Sequence, residues 1–217
     1  MITNQLHANH RQLRTDIPPR NQGKDPPQQN HKQSRANISI ATLNINGCSH
    51  SNTTSRSQIS KWTDVYRLIH QKQISILCLQ ETHLDHHHIT DINRLFSKRI
   101  AVHPSINPNN PSASMGIAFV INKERLNSEQ THATEILPGQ AMLLSIKWSD
   151  NSTLNILNVY APNTPQNHPP FWTELQQKLH ELHIANINII LGDFNITEDL
   201  FDRAPACHDD HAATEAL

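Results

Sequence analysis

The sequence has no long apolar run and few cysteine residues. No apolar stretch approaches the roughly 20 residues that a membrane-spanning helix needs, and the N-terminus lacks the continuous apolar core of a secretory signal peptide. The 3 cysteines, Cys48, Cys78 and Cys207, lie far apart, without the paired spacing of a zinc site or a disulfide framework. These absences exclude the membrane and disulfide-stabilised classes, and we expect an intracellular protein that is not secreted.

The first 36 residues have few apolar side chains. Apolar residues make up 36% of the whole chain and glycine only 5 residues, which is low for a globular protein. The only aliphatic side chains larger than alanine in this segment are Ile2, Leu6, Leu13 and Ile17. Such a segment cannot bury enough apolar surface to offset its ordering entropy. We therefore predict a disordered polar tail over residues 1–36 and one folded domain over residues 37–217.

The predicted tail is mildly basic. Residues 1–35 carry 6 basic and 2 acidic side chains, a net charge of +4, so the rest of the chain carries −5 to give the total of −1. A basic tail beside an acidic body can hold a polyanion through its phosphates. An ordinary solvated tail is the simpler interpretation, because these cations do not form a dense run.

The N-terminal part of the predicted domain has a β-α-β pattern. Residues 38–44 alternate apolar and polar side chains, residues 57–69 show the apolar spacing of an amphipathic helix, and residues 74–79 predict a second strand. This order favours two neighbouring parallel strands. Asn44 and Glu81 follow those strands, so we expect them at one edge of a sheet, where open α/β sheets bind ligands.

The remaining apolar segments predict further strands, three of which are separated by turns that suit antiparallel meanders. Residues 85–111 resemble a polar surface connection, with a short helix near 91–96 and a short strand near 100–103. Three further strands, a helix and a final strand follow at residues 115–121, 141–148, 154–160, 169–183 and 187–191. No internal repeat is present. We predict an α/β fold, a two-sheet β-sandwich flanked by helices.

Four short motifs each close one of the predicted strands. They are Leu43-Asn44-Ile45-Asn46-Gly47, Leu79-Gln80-Glu81-Thr82, Asn158-Val159-Tyr160-Ala161-Pro162-Asn163 and Leu191-Gly192-Asp193-Phe194-Asn195. Together they place carboxylate, phenol and carboxamide groups at strand ends. Mg²⁺ prefers oxygen ligands in octahedral geometry and keeps several waters. The motifs therefore suit a divalent cation beside a phosphate.

The last of these motifs combines a carboxylate with a carboxamide. Strand alternation directs Asp193 and Asn195 to one side and Phe194 to the other. The two polar groups have the chemistry of a general base and a neutral phosphate clamp. A β-turn with a capping aspartate explains this motif equally well when it is considered alone, so its weight comes from the other three.

The order and residues of the four motifs resemble those of the endonuclease/exonuclease/phosphatase superfamily, and most closely those of the endonuclease domain of non-LTR (LINE-like) retrotransposons. The resemblance covers residues 37–217 and implies a four-layer, DNase I-like fold. It implies that Glu81 holds Mg²⁺, for which Mn²⁺ can substitute, with help from Asn44. It further implies that Asp193 activates water while Asn195 and Tyr160 hold the phosphate.

Asn46 matches a position where members of this superfamily contact the metal and the phosphate network. Asparagine is also common in turns, so an ordinary turn residue is an equally good interpretation of Asn46.

The resemblance implies a Mg²⁺-dependent hydrolase, an endonuclease of the retrotransposon type that nicks DNA. The implied partners are DNA as substrate and a reverse-transcriptase region in the full-length element, and the implied location is the nucleus if chromosomal DNA is cleaved. Two alternatives stay open. One is a phosphodiesterase or phosphatase of the same fold that acts on RNA, abasic DNA or lipid headgroups, and the other is an inactive, truncated remnant that at most binds nucleic acid.

The pattern departs from the superfamily near the C-terminus. Members end with a Ser-Asp-His element on a late strand, whereas Asp209-Asp210-His211 here follows no apolar run. We therefore interpret Asp210 and His211 as loop residues and expect the C-terminal strands of the fold to be missing. The run His86-His87-His88 is interpreted as a solvated loop, because three adjacent side chains cannot all face one metal ion. His83, two residues beyond Glu81, has no assigned role.

Overall fold

The computed structural model describes residues 37–47, 55–109, 115–148, 152–196 and 211–216. The tail predicted for residues 1–36 therefore lies outside the described residues, as does Asp210. Within the described ranges, no helix has the length and apolar character needed to cross a membrane.

The described residues form eight strands and four α-helices. The strands are β1 (Ile40–Asn44), β2 (Ile76–Gln80), β3 (Ile100–Ser105), β4 (Ile117–Asn122), β5 (Thr131–Leu137), β6 (Ala141–Lys147), β7 (Thr153–Tyr160) and β8 (Ile189–Asp193). The helices are α1 (Ser55–Gln71), α2 (His86–Phe96), α3 (His168–Glu181) and α4 (His211–Ala216). Short 3₁₀ turns at Ser128–Gln130 and Pro165–Asn167 precede β5 and α3.

The strands form two four-stranded mixed sheets. Sheet A has the order β1-β2-β4-β3, and sheet B has the order β5-β6-β7-β8. The pairs β1-β2 and β7-β8 are parallel, and the other pairs are antiparallel. The two-sheet sandwich with flanking helices that the sequence predicts is therefore confirmed, and so is the parallel pairing of the first two strands.

Strand β5 was not predicted from the sequence. Its residues, Thr131–Leu137, mix threonine, histidine and glutamate with apolar side chains, because β5 is the edge strand of sheet B and is only partly buried. The assignment of the middle strands to the two sheets also differs from the prediction. Strands β4 and β6, predicted as members of one antiparallel meander, belong to different sheets.

Three apolar layers hold the sheets and helices together. Strand alternation sends Cys78 and its inner-face neighbours into the layer between the sheets, where they meet Phe119 and residues of sheet B. Leu77 on the opposite face of β2 packs in the layer that contains Trp62 of α1. On the other side, Phe171 of α3 packs against the outer face of sheet B. The helices therefore cover the outside of a sandwich whose inner layer supports the strand ends.

The histidine run begins a helix and does not form the solvated loop that was expected. Helix α2 starts at His86, five residues before the predicted start. Asp85 is its N-cap: the carboxylate accepts a hydrogen bond from the backbone nitrogen of His88 at 2.9 Å, and the His88 ring accepts from the backbone nitrogen of Asp85 at 3.3 Å. This reciprocal capping box satisfies two amide groups at the helix end, and it offsets the modest helix propensity of histidine.

Removal of a side chain from the layer between the sheets should destabilise the domain. Leu144 on the central strand β6 is 0% exposed, whereas Leu95 on α2 is 45% exposed. We expect Leu144→Ala to lower the free energy of unfolding by about 2–5 kcal/mol because it leaves a cavity. The same change at Leu95 should alter it by no more than about 0.5 kcal/mol. Urea denaturation followed by circular dichroism measures both, and equal effects would contradict the layer assignment.

Candidate active site

Four polar side chains from four strand ends meet at one edge of the sandwich. Asn44 ends β1 and Glu81 directly follows β2, while Tyr160 ends β7 and Asp193 ends β8. Each sheet therefore contributes the carboxyl ends of one parallel pair of strands. Because parallel strands end on the same side, the two pairs deliver their side chains to a shared space.

Direct hydrogen bonds connect these four residues. The Asn44 amide group donates from Nδ2 to Glu81 Oε1 at 2.8 Å and to Asp193 Oδ2 at 2.7 Å. The Tyr160 hydroxyl lies 3.1 Å from the same Glu81 Oε1 and 3.2 Å from Asn163 Oδ1. A hydroxyl has a single hydrogen, so it donates to one of these two oxygens at a time. The structure thus brings together four residues that the sequence motifs singled out.

The two carboxylates lack a charged partner within the described ranges. No lysine or arginine side chain there forms an ion pair with Glu81 or Asp193, and the nearest basic group is the His83 ring, 4.0 Å from Glu81 Oε2. Burial, reinforced by the charge of Lys61, lowers the pKa of His83, although the charge of Glu81 acts in the opposite direction. A neutral amide therefore bridges two negative groups, an arrangement whose oxygen atoms suit a hard divalent cation.

The backbone around the site adopts left-handed conformations at several non-glycine residues. The φ angles are +50° at Glu81, +47° at His83, +47° at Asn46 and +53° at Asn195. Such conformations are uncommon outside glycine, and they cluster at functional sites because the surrounding structure must hold them in place. At Glu81, a hydrogen bond of 2.6 Å from the backbone nitrogen of Gly47 to the Glu81 carbonyl helps to stabilise this conformation.

Asn195 supports Asp193 and joins the ends of two strands. Its backbone nitrogen donates to Asp193 Oδ1 at 3.1 Å, and its Nδ2 donates to the Ala161 carbonyl at 2.7 Å. The adjacent Phe194 ring stacks on Trp172 of α3, with ring centroids 6.0 Å apart. One hydrogen of the Asn195 amide group is not used by the Ala161 bond, since an amide nitrogen carries two.

Gly192 allows β8 to approach β7 at this point. Its φ angle is +146°, and a Cβ atom added there would lie 1.9 Å from the Val159 carbonyl oxygen. Any larger residue would therefore push the two strands apart just before Asp193. Gly192 therefore allows the strand pairing that places the Asp193 carboxylate at the site.

Two other predicted positions, Asn46 and His211, are not among the four side chains that hydrogen-bond to one another. Asn46 contributes through its backbone, whose nitrogen donates to Asn44 Oδ1 at 2.8 Å, while its side chain is exposed. His211 is the first residue of the short helix α4, so its assignment to a loop is wrong. The helix forms there because the Ala-Ala-Thr-Glu-Ala sequence that follows contains good helix formers.

Sequence reasoning missed Lys61, and it gave Asn163 and His83 no role of their own. Lys61 of α1 donates from Nζ to the carbonyls of Ile45 and Gly47, and so holds the turn that follows β1. The His83 ring packs against Gly47, where an added Cβ would lie 2.2 Å from the ring Nδ1. A lysine within an amphipathic helix pattern carries no signal of such a contact. For Asn163, its place in the Tyr160 motif was the available signal.

The site opens into a cleft between the ends of β1 and β8. The cleft has a volume of about 340 Å³. Its walls contain Asn44, Asp193 and Asn195, together with Thr42, Leu43, Gln80, Gly192, Phe194 and Ile196. Two of the four hydrogen-bonded side chains, Asn44 and Asp193, therefore line a surface that a ligand can reach.

Comparison with known proteins finds a matching protein family and a similar transposon protein. Residues 41–213 match the sequence profile of the Endonuclease/Exonuclease/phosphatase family. The Transposon TX1 uncharacterized 149 kDa protein of Xenopus laevis is 28% identical over 166 residues, which cover 76% of this chain and 12% of that protein. The chain thus spans a small part of this relative's length.

Two solved structures share the fold at low sequence identity. The endonuclease domain of TRAS1, a telomere-specific non-LTR retrotransposon, has a TM-score of 0.52 at 9% identity, covering 83% of this chain and 68% of that one. The AP endonuclease LMAP from Leishmania major has a TM-score of 0.58 at 15% identity, covering 81% and 63%. These similarities establish a DNase I-like arrangement of the two sheets.

The surroundings of Tyr160 lead us to predict that its hydroxyl ionises at an unusually high pH. Burial, with the charge and hydrogen bonding of Glu81, raises the pKa of Tyr160 to about 12, whereas the bond to Asn163 lowers it. Because the folded state holds this proton more tightly than the unfolded state, the associated stability is present below the ordinary tyrosine pKa of about 10 and is lost as the pH rises further. Tyr66→Phe leaves Tyr160 as the only tyrosine, so phenolate absorbance reports on it alone.

In that Tyr66→Phe background we expect Glu81→Gln to lower the pKa of Tyr160, because it removes the negative charge beside the hydroxyl. Asn163→Ala is the control, since loss of that bond should not lower the pKa. Ionisation near the ordinary value in the background protein would contradict the buried contact between Tyr160 and Glu81.

Proposed function

Since the chain belongs to the endonuclease/exonuclease/phosphatase family, we propose that it is a Mg²⁺-dependent endonuclease that hydrolyses phosphodiester bonds and nicks DNA. The observation that carries this proposal is the contact of Asn44 with both Glu81 and Asp193, together with Tyr160 on the same Glu81 oxygen. The transposon relative and the retrotransposon endonuclease fold favour DNA as the substrate.

In this proposal Glu81 holds the cation. Its Oε1 receives hydrogen bonds from Asn44 and Tyr160, while Oε2 has only the His83 ring at 4.0 Å among its described contacts. Oε2 is therefore the oxygen available for a metal ion. Asn44 helps by orienting both carboxylates with its amide hydrogens. Mg²⁺, or Mn²⁺ in its place, would supply positive charge next to the scissile phosphate.

Asp193 is the proposed general base. Its two oxygens accept hydrogen bonds from the Asn195 backbone nitrogen and from Asn44, which fix the orientation of the carboxylate. A base held in this way can take a proton from a water that attacks the phosphate in line.

Tyr160 and Asn195 are the proposed phosphate contacts. The raised pKa of Tyr160 keeps its hydroxyl protonated at neutral pH. With substrate bound, the hydroxyl can donate its one hydrogen to a phosphate oxygen or to the leaving oxygen in place of Glu81 or Asn163. Asn195 has one amide hydrogen beyond the one bound to the Ala161 carbonyl, and this hydrogen can serve the same phosphate. Both groups would stabilise the charge that develops in the transition state.

A nicking assay tests the proposal. Purified protein should convert supercoiled plasmid to the open circle with Mg²⁺ and should not do so with EDTA. We expect Asp193→Asn to reduce the rate by about 10²–10⁴, the usual contribution of a general base. Asp64→Asn is the matched control, because Asp64 is an exposed carboxylate on α1 and should leave the rate unchanged.

All variants must first show the circular dichroism spectrum of the wild-type fold. A folded wild-type protein that nicks no faster than Asp193→Asn would contradict the proposed activity and favour the inactive alternative. Parallel assays with RNA and abasic DNA distinguish the other substrates that share this fold.

Metal binding is a separate prediction. Because a ligand that binds only the folded state stabilises it by about 2.7 kcal/mol at a hundredfold excess over its Kd, Mg²⁺ should raise the melting temperature of the wild-type protein. Glu81→Gln should abolish that rise, and Glu129→Gln, which changes an exposed glutamate outside the cleft, should retain it. An equal rise in both variants would place the cation somewhere other than Glu81.

A further inference from the structure

A polar contact crosses the sandwich directly beneath the proposed site. Gln80 of sheet A donates from Nε2 to Asn158 Oδ1 of sheet B at 2.7 Å. The two residues are 1% and 0% exposed, so the contact lies in the interior. We call this pair the amide bridge. Nothing in the proposed chemistry uses either side chain.

The hydrogen-bonding groups of the amide bridge are well satisfied. Asn158 Nδ2 donates to the carbonyls of Leu79 at 3.2 Å and Ala118 at 3.3 Å, which are paired in register on β2 and β4. Gln80 Nε2 also donates to Thr42 Oγ1 of β1 at 3.0 Å. The Asn158 side chain of sheet B is therefore hydrogen-bonded to three residues of sheet A, namely Gln80, Leu79 and Ala118.

Such a network is not required for stability alone. Buried amides must exchange water for protein partners, so a hydrogen bond between them contributes a modest net stabilisation, and apolar groups of the same shape can replace both partners at little cost. What a fully satisfied buried network does provide is a unique arrangement of the elements that it joins. The position of this bridge therefore suggests a reason for its presence.

Each member of the network lies next to a site residue on its own strand. Gln80 immediately precedes Glu81, and Asn158 lies two residues before Tyr160 on β7. Residues two apart on a strand face the same side, so Asn158 and Tyr160 both point toward sheet A. The bridge is thus one layer of side chains below the contact between Tyr160 and Glu81, which spans the same two sheets at 3.1 Å.

We infer that the amide bridge is a positioning device that sets the spacing of the two sheets beneath the cleft, and thereby holds Glu81 within reach of Tyr160 and Asp193. Gln80 and Asn158 are positioning residues, since they act through the site residues that follow them. The consequences for metal binding and rate rest on the proposed function, whereas the geometric consequence does not.

The test uses the double variant Gln80→Met/Asn158→Leu, which replaces both amides with apolar side chains of similar size. We expect it to remain folded and to bind Mn²⁺ about 10- to 100-fold more weakly, the usual cost of losing a group that supports a metal ligand. Electron paramagnetic resonance measures free Mn²⁺ directly. In the nicking assay kcat should fall while KM for the plasmid is little changed, because Gln80 and Asn158 are at most 1% exposed and their interaction positions catalytic groups.

The matched control removes another polar pair from sheet B. Ser145 Oγ donates to Asn155 Oδ1 at 2.7 Å between β6 and β7, nearer the start of β7 and away from its Tyr160 end. Ser145→Ala/Asn155→Leu should leave Mn²⁺ affinity and kcat at the wild-type values. Wild-type Mn²⁺ affinity and kcat in the folded bridge variant would overturn the inference and leave the bridge a purely structural contact.

A crystal structure of the bridge variant separates this inference from the proposed function. If the wild-type protein neither binds Mn²⁺ nor nicks DNA, the proposed function fails, but the distance from Tyr160 Oη to Glu81 Oε1 still decides the inference. A contact that lengthens beyond hydrogen-bonding distance supports the positioning role, and an unchanged contact overturns it. If the double variant does not fold, the same measurements and criteria are applied to Gln80→Met, which keeps the two bonds of Asn158 Nδ2 to the Leu79 and Ala118 carbonyls.

Discussion

The site depends on one electrostatic constraint: two carboxylates from opposite sheets share a single neutral donor. Asn44 bonds to Glu81 of its own sheet and to Asp193 of the other, at 2.8 Å and 2.7 Å. Like charges brought this close repel each other, and the described contacts supply no lysine or arginine to compensate. The sandwich must therefore hold the strand ends in place against that repulsion. A bound cation would relieve it, which is the physical basis of the proposal that this edge binds a metal ion.

The structure meets this constraint with features that would be unfavourable elsewhere. Glu81 and Asn195 adopt left-handed backbone conformations at the points where the chain leaves β2 and β8. Gly192 permits an approach to β7 that no side chain could tolerate. Between the sheets, the bond from Gln80 to Asn158 places amides where an apolar core would pack more simply. Each feature lies within a few residues of a carboxylate or of Tyr160, so the departures from ideal local structure coincide with the candidate chemistry.

Much of the fold could be predicted because its central strands and main helices have clear periodicity. Strands β2 and β4 are fully buried and appear in the sequence as continuous apolar runs, and α1 shows the spacing of an amphipathic helix. The edge strand β5 was missed because a partly exposed strand has a mixed pattern with no clear period. The start of α2 was misplaced because a single capping aspartate, and not the composition of the helix, decided where it begins.

The sequence by itself determined which polar residues stand at strand ends, since the motifs around Asn44, Glu81, Tyr160 and Asp193 each follow an apolar run. It could not determine which of those ends meet. Asn44 and Asp193 are 149 residues apart in the chain, and their contact exists only because β1 and β8 lie at the same side of the sandwich. Apolar periodicity reports that a face is buried but not what it is buried against. The pairing of the sheets, and with it the amide bridge between them, was decided by tertiary packing.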